Sequence, residues 1–386
     1  MHALTDTFQR FFDSEKASGL LLIACTVLSL VLANSALGTM WLGLWHAQVA
    51  GLAVEHWIND GLMAVFFLMI GLELERELYV GELSNLRNAL LPIVAAIGGM
   101  AAPALIHYAL NHGLPTQAGI GIPMATDIAF ALGAMALLGS RVPPALKVFV
   151  VAFAVMDDLG AIVLIALFYS GELSLPHLAG SLAVWLALLA LNRFARVSSM
   201  PVYLLGGVAM WALMLKSGVH ATIAGVMLAF AIPFWSRSEE EDSPSHRLEN
   251  VLHKPVAFLI LPLFALANTG VVLDATLWSA MAEPNALGII GGLVIGKPVG
   301  ILLLAMLAIT LGLCAMPQGL NWRHLLGAGM LGGIGFTMSI FITNLAFGAQ
   351  PEMVDAAKLA VFSGSLLAGV IGSMWLWVVG KPTAAE

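Results

Sequence analysis

Charge is what this chain of 386 residues has least of: Asp, Glu, Lys and Arg make up 10% of it, against about a quarter of an ordinary soluble domain. With a hydrophobic share of 60%, a soluble globular class is excluded, because too few polar residues remain to coat such a core. Cysteine is nearly absent. Cys25 and Cys314 are too few for a disulfide framework and lie in apolar surroundings, as packing residues do. Nor does the formal net charge of −7 mark a nucleic-acid or anionic-surface partner. Eight of the acids fall in two short clusters, Glu73, Glu75, Glu77 and Glu82, then Glu239, Glu240, Glu241 and Asp242. The last absence is local: no Lys or Arg occurs between Ser35 and His56.

What is there instead is a series of long apolar runs. Hydropathy places twelve of them, at about 19–33, 54–79, 89–111, 116–138, 145–170, 176–193, 200–215, 219–234, 248–272, 286–312, 325–348 and 356–380. The basic residues supply an independent check. With this count the termini and even-numbered loops hold thirteen Lys and Arg, the odd-numbered loops hold only Lys216 and Lys358, and Lys297 stays inside a span. By the positive-inside rule both termini are then cytoplasmic. Arg10 and Lys16 before the first run have the outline of a signal peptide, but a charged leader suits the first helix of a polytopic protein, and we read it so. The expectation is an all-α polytopic membrane protein of about 12 transmembrane helices in the lipid bilayer, one transporter domain over 1–386. Residues 1–18 would lie along the interface, and 235–249 would form a solvated cytoplasmic linker. In the first loop, the weak alternation around Ala50 and Gly51 predicts a small hairpin.

Three of the few charges stand where charge is most costly. The fourth and fifth spans form a hairpin over 118–170, with Asp127 in one arm and Asp157 and Asp158 in the other. Counted from Val142 in the turn, Asp127 lies 15 residues back and Asp157 lies 15 on. At about 1.5 Å of rise per residue, both sit near the midplane. Each carboxylate there costs roughly 2.5–3.5 kcal/mol on insertion scales, so an ion or proton pathway is the stronger reading than buried charges paired for structure. Lys297, in GGLVIGKPVGI, is the fourth buried charge, and one of the three aspartates should be its partner.

Two spans look interrupted. Gly119, Gly121 and Pro123 precede Thr126 and Asp127 in the fourth, and Gly332, Gly333 and Gly335 precede Thr337 and Ser339 in the eleventh. Glycine lets the backbone leave helical geometry, and proline removes a donor. GIGIPM at 119–124 matches GIGFTM at 333–338 at four of six positions. Spans three to five and ten to twelve start from opposite sides, so a repeat here would be inverted, with crossed broken helices at an ion site. The alternative is that these glycines serve close helix packing. Gly292, Gly296 and Gly300, at every fourth residue of the tenth span, pose the same question.

Together, WINDGLMAVFFLMIGLELEREL, ATDIAFALG, VMDDLGA, LKSGVHATIAGV, IGKPVGI and GIGFTMSIFI, in this order over nearly the whole chain, resemble the NhaA family of sodium/proton antiporters. The resemblance implies that Asp158 is the principal sodium and proton ligand, with Asp127 beside it and Thr126 helping to coordinate Na+ or Li+. Asp157 would pair with Lys297, and Asp60 would be a supporting acid. Glu73, Arg76 and Glu249 would join a charge network linked to pH control, and His220 would modulate the pH response. It also implies an electrogenic exchanger of the bacterial inner membrane, a homodimer that needs no cofactor. Two departures bear on this. The best-known members carry Lys at the position of His246, His at that of Asn250 and a basic residue at that of Glu75, and the first loop is short for a dimerising hairpin.

From the residues alone, a desolvated carboxylate holds a proton more readily than one in water. With the Thr126 hydroxyl and freed carbonyls it can hold a sodium ion instead, and never both. His246, Glu249 and His253 share a helical face by their spacing, and histidine titrates in the relevant range. A sodium-coupled symporter of a small organic solute is the alternative function. An intramembrane aspartyl protease lacks its GxGD motif here, and a channel would need a ring of ligands.

Overall fold

The computed structural model describes residues 2–235 and 243–380, with side chains throughout except at 2–16, 82, 86 and 87. It is helical nearly everywhere. Seven helices are long and apolar enough to cross a membrane, or ten if each of three bent pairs counts as one span, so this is a multi-pass membrane protein. The chain divides into two compact units. One comprises the residues up to Leu37, Asn85–Ala161 and those from Thr269 on, and the other comprises Gly38–Ser84 and Ile162–Asn268.

The first unit is built on one close helix pair. In the helix Leu86–Asn111 and the span Pro284–Thr310, most of the glycines sit where a side chain has no room. A Cβ at Gly292 would meet Pro123 and Pro103, one at Gly296 would meet Pro103, and one at Gly300 would meet the Gly98 carbonyl. The stripe of every-fourth glycines is therefore a packing device, and the tenth span is bulged rather than broken. A π turn covers Gly292–Gly296, and Lys297–Thr310 continues as α-helix behind it. A π turn inserts one residue into the helical register, which re-aims the lysine that follows.

The expected interruptions are present in the same unit. Pro115–Met124 is a 3-10 helix, residues 125–127 are extended, and Ile128–Leu138 resumes as α-helix. The two halves meet at 42°. Trp322–Gly332 and Phe336–Phe347 flank the second break and bend by 46°. The helix Pro351–Val379 packs on this span through Gly372 against Leu331 and Gly327 against Leu376.

In the second unit, the span Val54–Tyr79 packs on Ile223–Ala229, where Gly71 approaches Val226 and Ala229 and Gly225 approaches the Ala64 carbonyl. Leu72, Tyr203, Met210, Met214, Ala229 and Ile232 fill its core. The predicted hairpin forms here, Gln48 opposite Ala53 and Val49 opposite Leu52. Ala50 and Gly51 both take positive φ, 51° and 85°, as a two-residue turn requires.

One expectation needs correction. The eighth run, 219–234, is helical only over Ile223–Ala229, because the preceding residues close into four-residue turns (Ile223 N–H to the His220 carbonyl, Ala224 to Ala221, Gly225 to Thr222). Apolar content cannot tell such a segment from a helix. In the linker expected at 235–249, residues 236–242 lie outside the described residues, and the remainder is structured. Ser243 accepts the His246 N–H as cap, Pro244 occupies the first turn, and the helix runs to Pro255.

The helix pair yields a test. Gly300→Ala should destabilise the protein by about 1–3 kcal/mol or more, read as a lower thermal midpoint in detergent. Gly43→Ala, where a Cβ meets nothing within 4 Å, should leave it unchanged.

Candidate functional site

The two interruptions meet. Where a helix stops inside a bilayer, its unpaired backbone groups need partners from the protein, and here each break supplies the other. The Asp127 N–H donates to the Ile334 carbonyl at 2.6 Å, and the Thr126 hydroxyl donates to the Gly332 carbonyl at 2.8 Å. The carboxylate of Asp127 then serves two helix starts. One oxygen accepts from Phe130 N–H at 3.1 Å in its own half-helix. The other accepts from Thr337 N–H at 3.0 Å, in the first turn of Phe336–Phe347, and from the Thr337 hydroxyl. Negative charge at two N-terminal dipole ends is the favourable sign at both.

Lys297 enters beside this junction. Its ammonium donates to Asp157 Oδ2 at 2.6 Å and to the Thr126 hydroxyl at 2.8 Å. It also lies 5.5 Å from the centre of the Phe153 ring, within cation–π range. Lys297, Asp157 and Thr126 are fully buried, and Asp127 and Asp158 nearly so. Asp158 follows Asp157 on the helix Pro144–Phe168, about 100° further round it, and lies close enough to act on Lys297 electrostatically. Four charges and two hydroxyls, those of Thr126 and Thr337, thus converge on one junction. Of the three aspartates, Asp157 is the one that binds Lys297 directly.

The remaining residues singled out in the sequence belong to the second unit. Arg76 donates to Glu249 at 3.0 Å and pairs with Glu77 at 2.9 Å, and Glu73 lies in the field of both Arg76 and Glu249. His246 approaches Glu249 at 3.6 Å, and His253 feels the same carboxylate. The charge network is therefore a single cluster. The structure adds a pair unnoticed in the sequence, Ser245 donating to buried Glu75 at 2.8 Å. Asp60 sits apart in a π turn over Trp57–Leu62, where its carbonyl accepts from Trp211 at 2.8 Å. His220 lies in the turn before Ile223–Ala229, bonded to the Tyr169 backbone. Thr337 and Phe153 were also missed as contributors. Thr337 stands in the GIGFTM motif next to the glycines and was legible there, whereas nothing in the local pattern marks Phe153.

A family profile described as Na+/H+ antiporter 1 matches residues 9–376. The chain is 65% identical over 373 residues to the Na(+)/H(+) antiporter NhaA of Dechloromonas aromatica (strain RCB), covering 97% of this chain and 96% of that one. It is 55% identical to Na(+)/H(+) antiporter NhaA 1 of Flavobacterium johnsoniae, covering 97% of each. To the Na(+)/H(+) antiporter NhaA of Escherichia coli O139:H28 it is 49% identical, covering 97% of this chain and 98% of that one. These relatives are named as transporters, not as enzymes.

A buried ion pair tolerates joint replacement better than loss of one member, because the survivor is left as an uncompensated charge. Asp157→Asn alone should therefore destabilise the fold by about 3–5 kcal/mol. The double variant Asp157→Leu, Lys297→Met should recover most of that. Thermal unfolding of the purified protein in detergent measures both.

Proposed function

Because the chain belongs to the Na+/H+ antiporter 1 family, we propose that it exchanges cytoplasmic Na+, or Li+, for external H+ by competition at the buried aspartates. The observation that carries this reading is the Lys297–Asp157 pair, set beside Asp158 at the junction of two interrupted helices. Asp158 takes either a proton or the alkali ion. Thr126, whose hydroxyl oxygen sits at the junction, and Asp127, whose carboxylate holds the two helix starts in place, complete the ion's surroundings.

Coupling follows from charge. An alkali ion at Asp158 brings a positive charge into the field of Lys297, and the Lys297–Asp157 pair responds by losing a proton. With the proton displaced from Asp158 itself, more than one proton moves for each ion, so exchange carries net charge and responds to membrane potential. The cluster of Glu73, Arg76, His246, Glu249 and His253, with His220 apart from it, adjusts this activity to pH, and Asp60 is a supporting acid.

On this reading the chain crosses the bilayer about twelve times, the eighth pass helical only over Ile223–Ala229, with both termini cytoplasmic, in the bacterial inner membrane. The third to fifth and tenth to twelfth spans form an inverted repeat, a reading supported by the matching motifs, one just before the first break and one across the second. The homodimer rests on the resemblance to the family alone. No observation favours the symport of an organic solute.

Everted or reconstituted vesicles with an imposed pH gradient give the decisive measurement. Adding sodium should dissipate the gradient in wild type, and Asp158→Asn should abolish this. A gradient indifferent to sodium, or dissipated only when an organic solute is added, would falsify the antiport reading.

A further inference from the structure

The half-helix Phe336–Phe347 begins without a cap of its own. Its N-cap position is Gly335, which has no side chain, and a Cβ there would strike the Ser339 hydroxyl and approach the Ala125 carbonyl. No local Ser, Thr, Asp or Asn can therefore serve that position, although the first N–H groups of a helix have no partner within it. The Thr337 N–H goes to Asp127. The Gly335 and Phe336 N–H groups both donate to one atom, Ser365 Oγ, at 3.2 Å each. Ser365 is buried at 5% exposure and belongs to another helix, Pro351–Val379. A hydroxyl oxygen has two acceptor sites, and here both are used.

We propose that Ser365 is a positioning residue for the ion site, fixing the backbone at 333–335 in the arrangement that serves Thr126 and Asp127. The chain of contacts is short. Gly332 O, on one side of the break, accepts from Thr126, and Ile334 O, within it, accepts from Asp127 N–H. Ser365 holds the N–H of that same Ile334–Gly335 peptide group and the N–H of the next one. Thr337, two residues on, anchors the Asp127 carboxylate. Without the serine acceptor, two N–H groups lie buried without a partner, and the segment turns to find one, carrying both carbonyls with it. Thr126 and Asp127 then lose their fixed positions, though neither touches Ser365.

This inference rests on the antiport reading, and its test separates the two. Sodium-driven dissipation of a pH gradient is titrated with Na+ in proteoliposomes for wild type, Ser365→Ala and Ser365→Thr, normalised to the protein incorporated. Ser365→Ala should raise the half-saturating sodium concentration roughly fivefold, the scale of a lost helix cap, with the maximal rate largely kept. Ser365→Thr, which keeps the hydroxyl, should stay near wild type. A merely structural serine would lower recovery and maximal rate without moving half-saturation. If Ser365→Ala is not recovered in membranes, Ser365→Cys, close in shape but a poor acceptor, is titrated in its place with the same expectation. Unchanged half-saturation in the Ala or Cys variant, or a Thr variant as impaired as Ala, overturns the role of Ser365. A wild type without sodium response overturns the antiport reading instead.

Discussion

The whole arrangement depends on how two broken helices are satisfied in a medium without water. Hydrocarbon offers no hydrogen bonds, so irregular backbone is tolerated there only where protein groups replace the solvent. At this junction the replacement is mutual. Asp127 spends its N–H on one strand of the break and its carboxylate on two helix starts, and Thr126 spends its hydroxyl proton on the facing carbonyl. These are the two residues immediately before the Ile128–Leu138 half-helix, Asp127 being its N-cap. The structural demand and the proposed ion site therefore fall on the same side chains. An acid in the middle of an apolar run is expensive in isolation; as the cap of two dipoles it becomes part of what keeps the runs broken.

Lys297 links that junction to the helix of the paired acids. Its ammonium has one donor on Asp157 and one on Thr126, so the same residue touches the break and the neighbouring span. A rise in charge at either place is felt at the other through a single side chain. The π turn at Gly292–Gly296, immediately before it, sets the angle at which the lysine leaves its helix.

Much of this was legible beforehand, and for physical reasons. The breaks follow from glycine and proline in otherwise unbroken apolar runs. That Lys297 needed an aspartate was legible too; counting could not say which of the three, because successive residues on a helix differ by a rotation that depends on its packing, and only the family resemblance pointed to Asp157. The every-fourth glycines of 292–300 showed a closeness without naming its partner, which proved to be Gly98 and Pro103. Ser365 and Phe153 escaped altogether. The serine meets its partners across about thirty residues of chain, and no local period records such a contact. The eighth run failed in the other direction, since its composition suits a helix and its hydrogen bonds do not.

The glycine seam has a mechanical side. Where backbone lies against backbone, as at Gly98 and Gly300, one helix cannot slide along the other without driving carbonyl into Cα. Leu86–Asn111 and Pro284–Thr310 are in effect keyed together, like a tongue in its groove. Lys297 can therefore leave Asp157 only by swinging its own four-carbon arm, or by travelling with both helices as a single block.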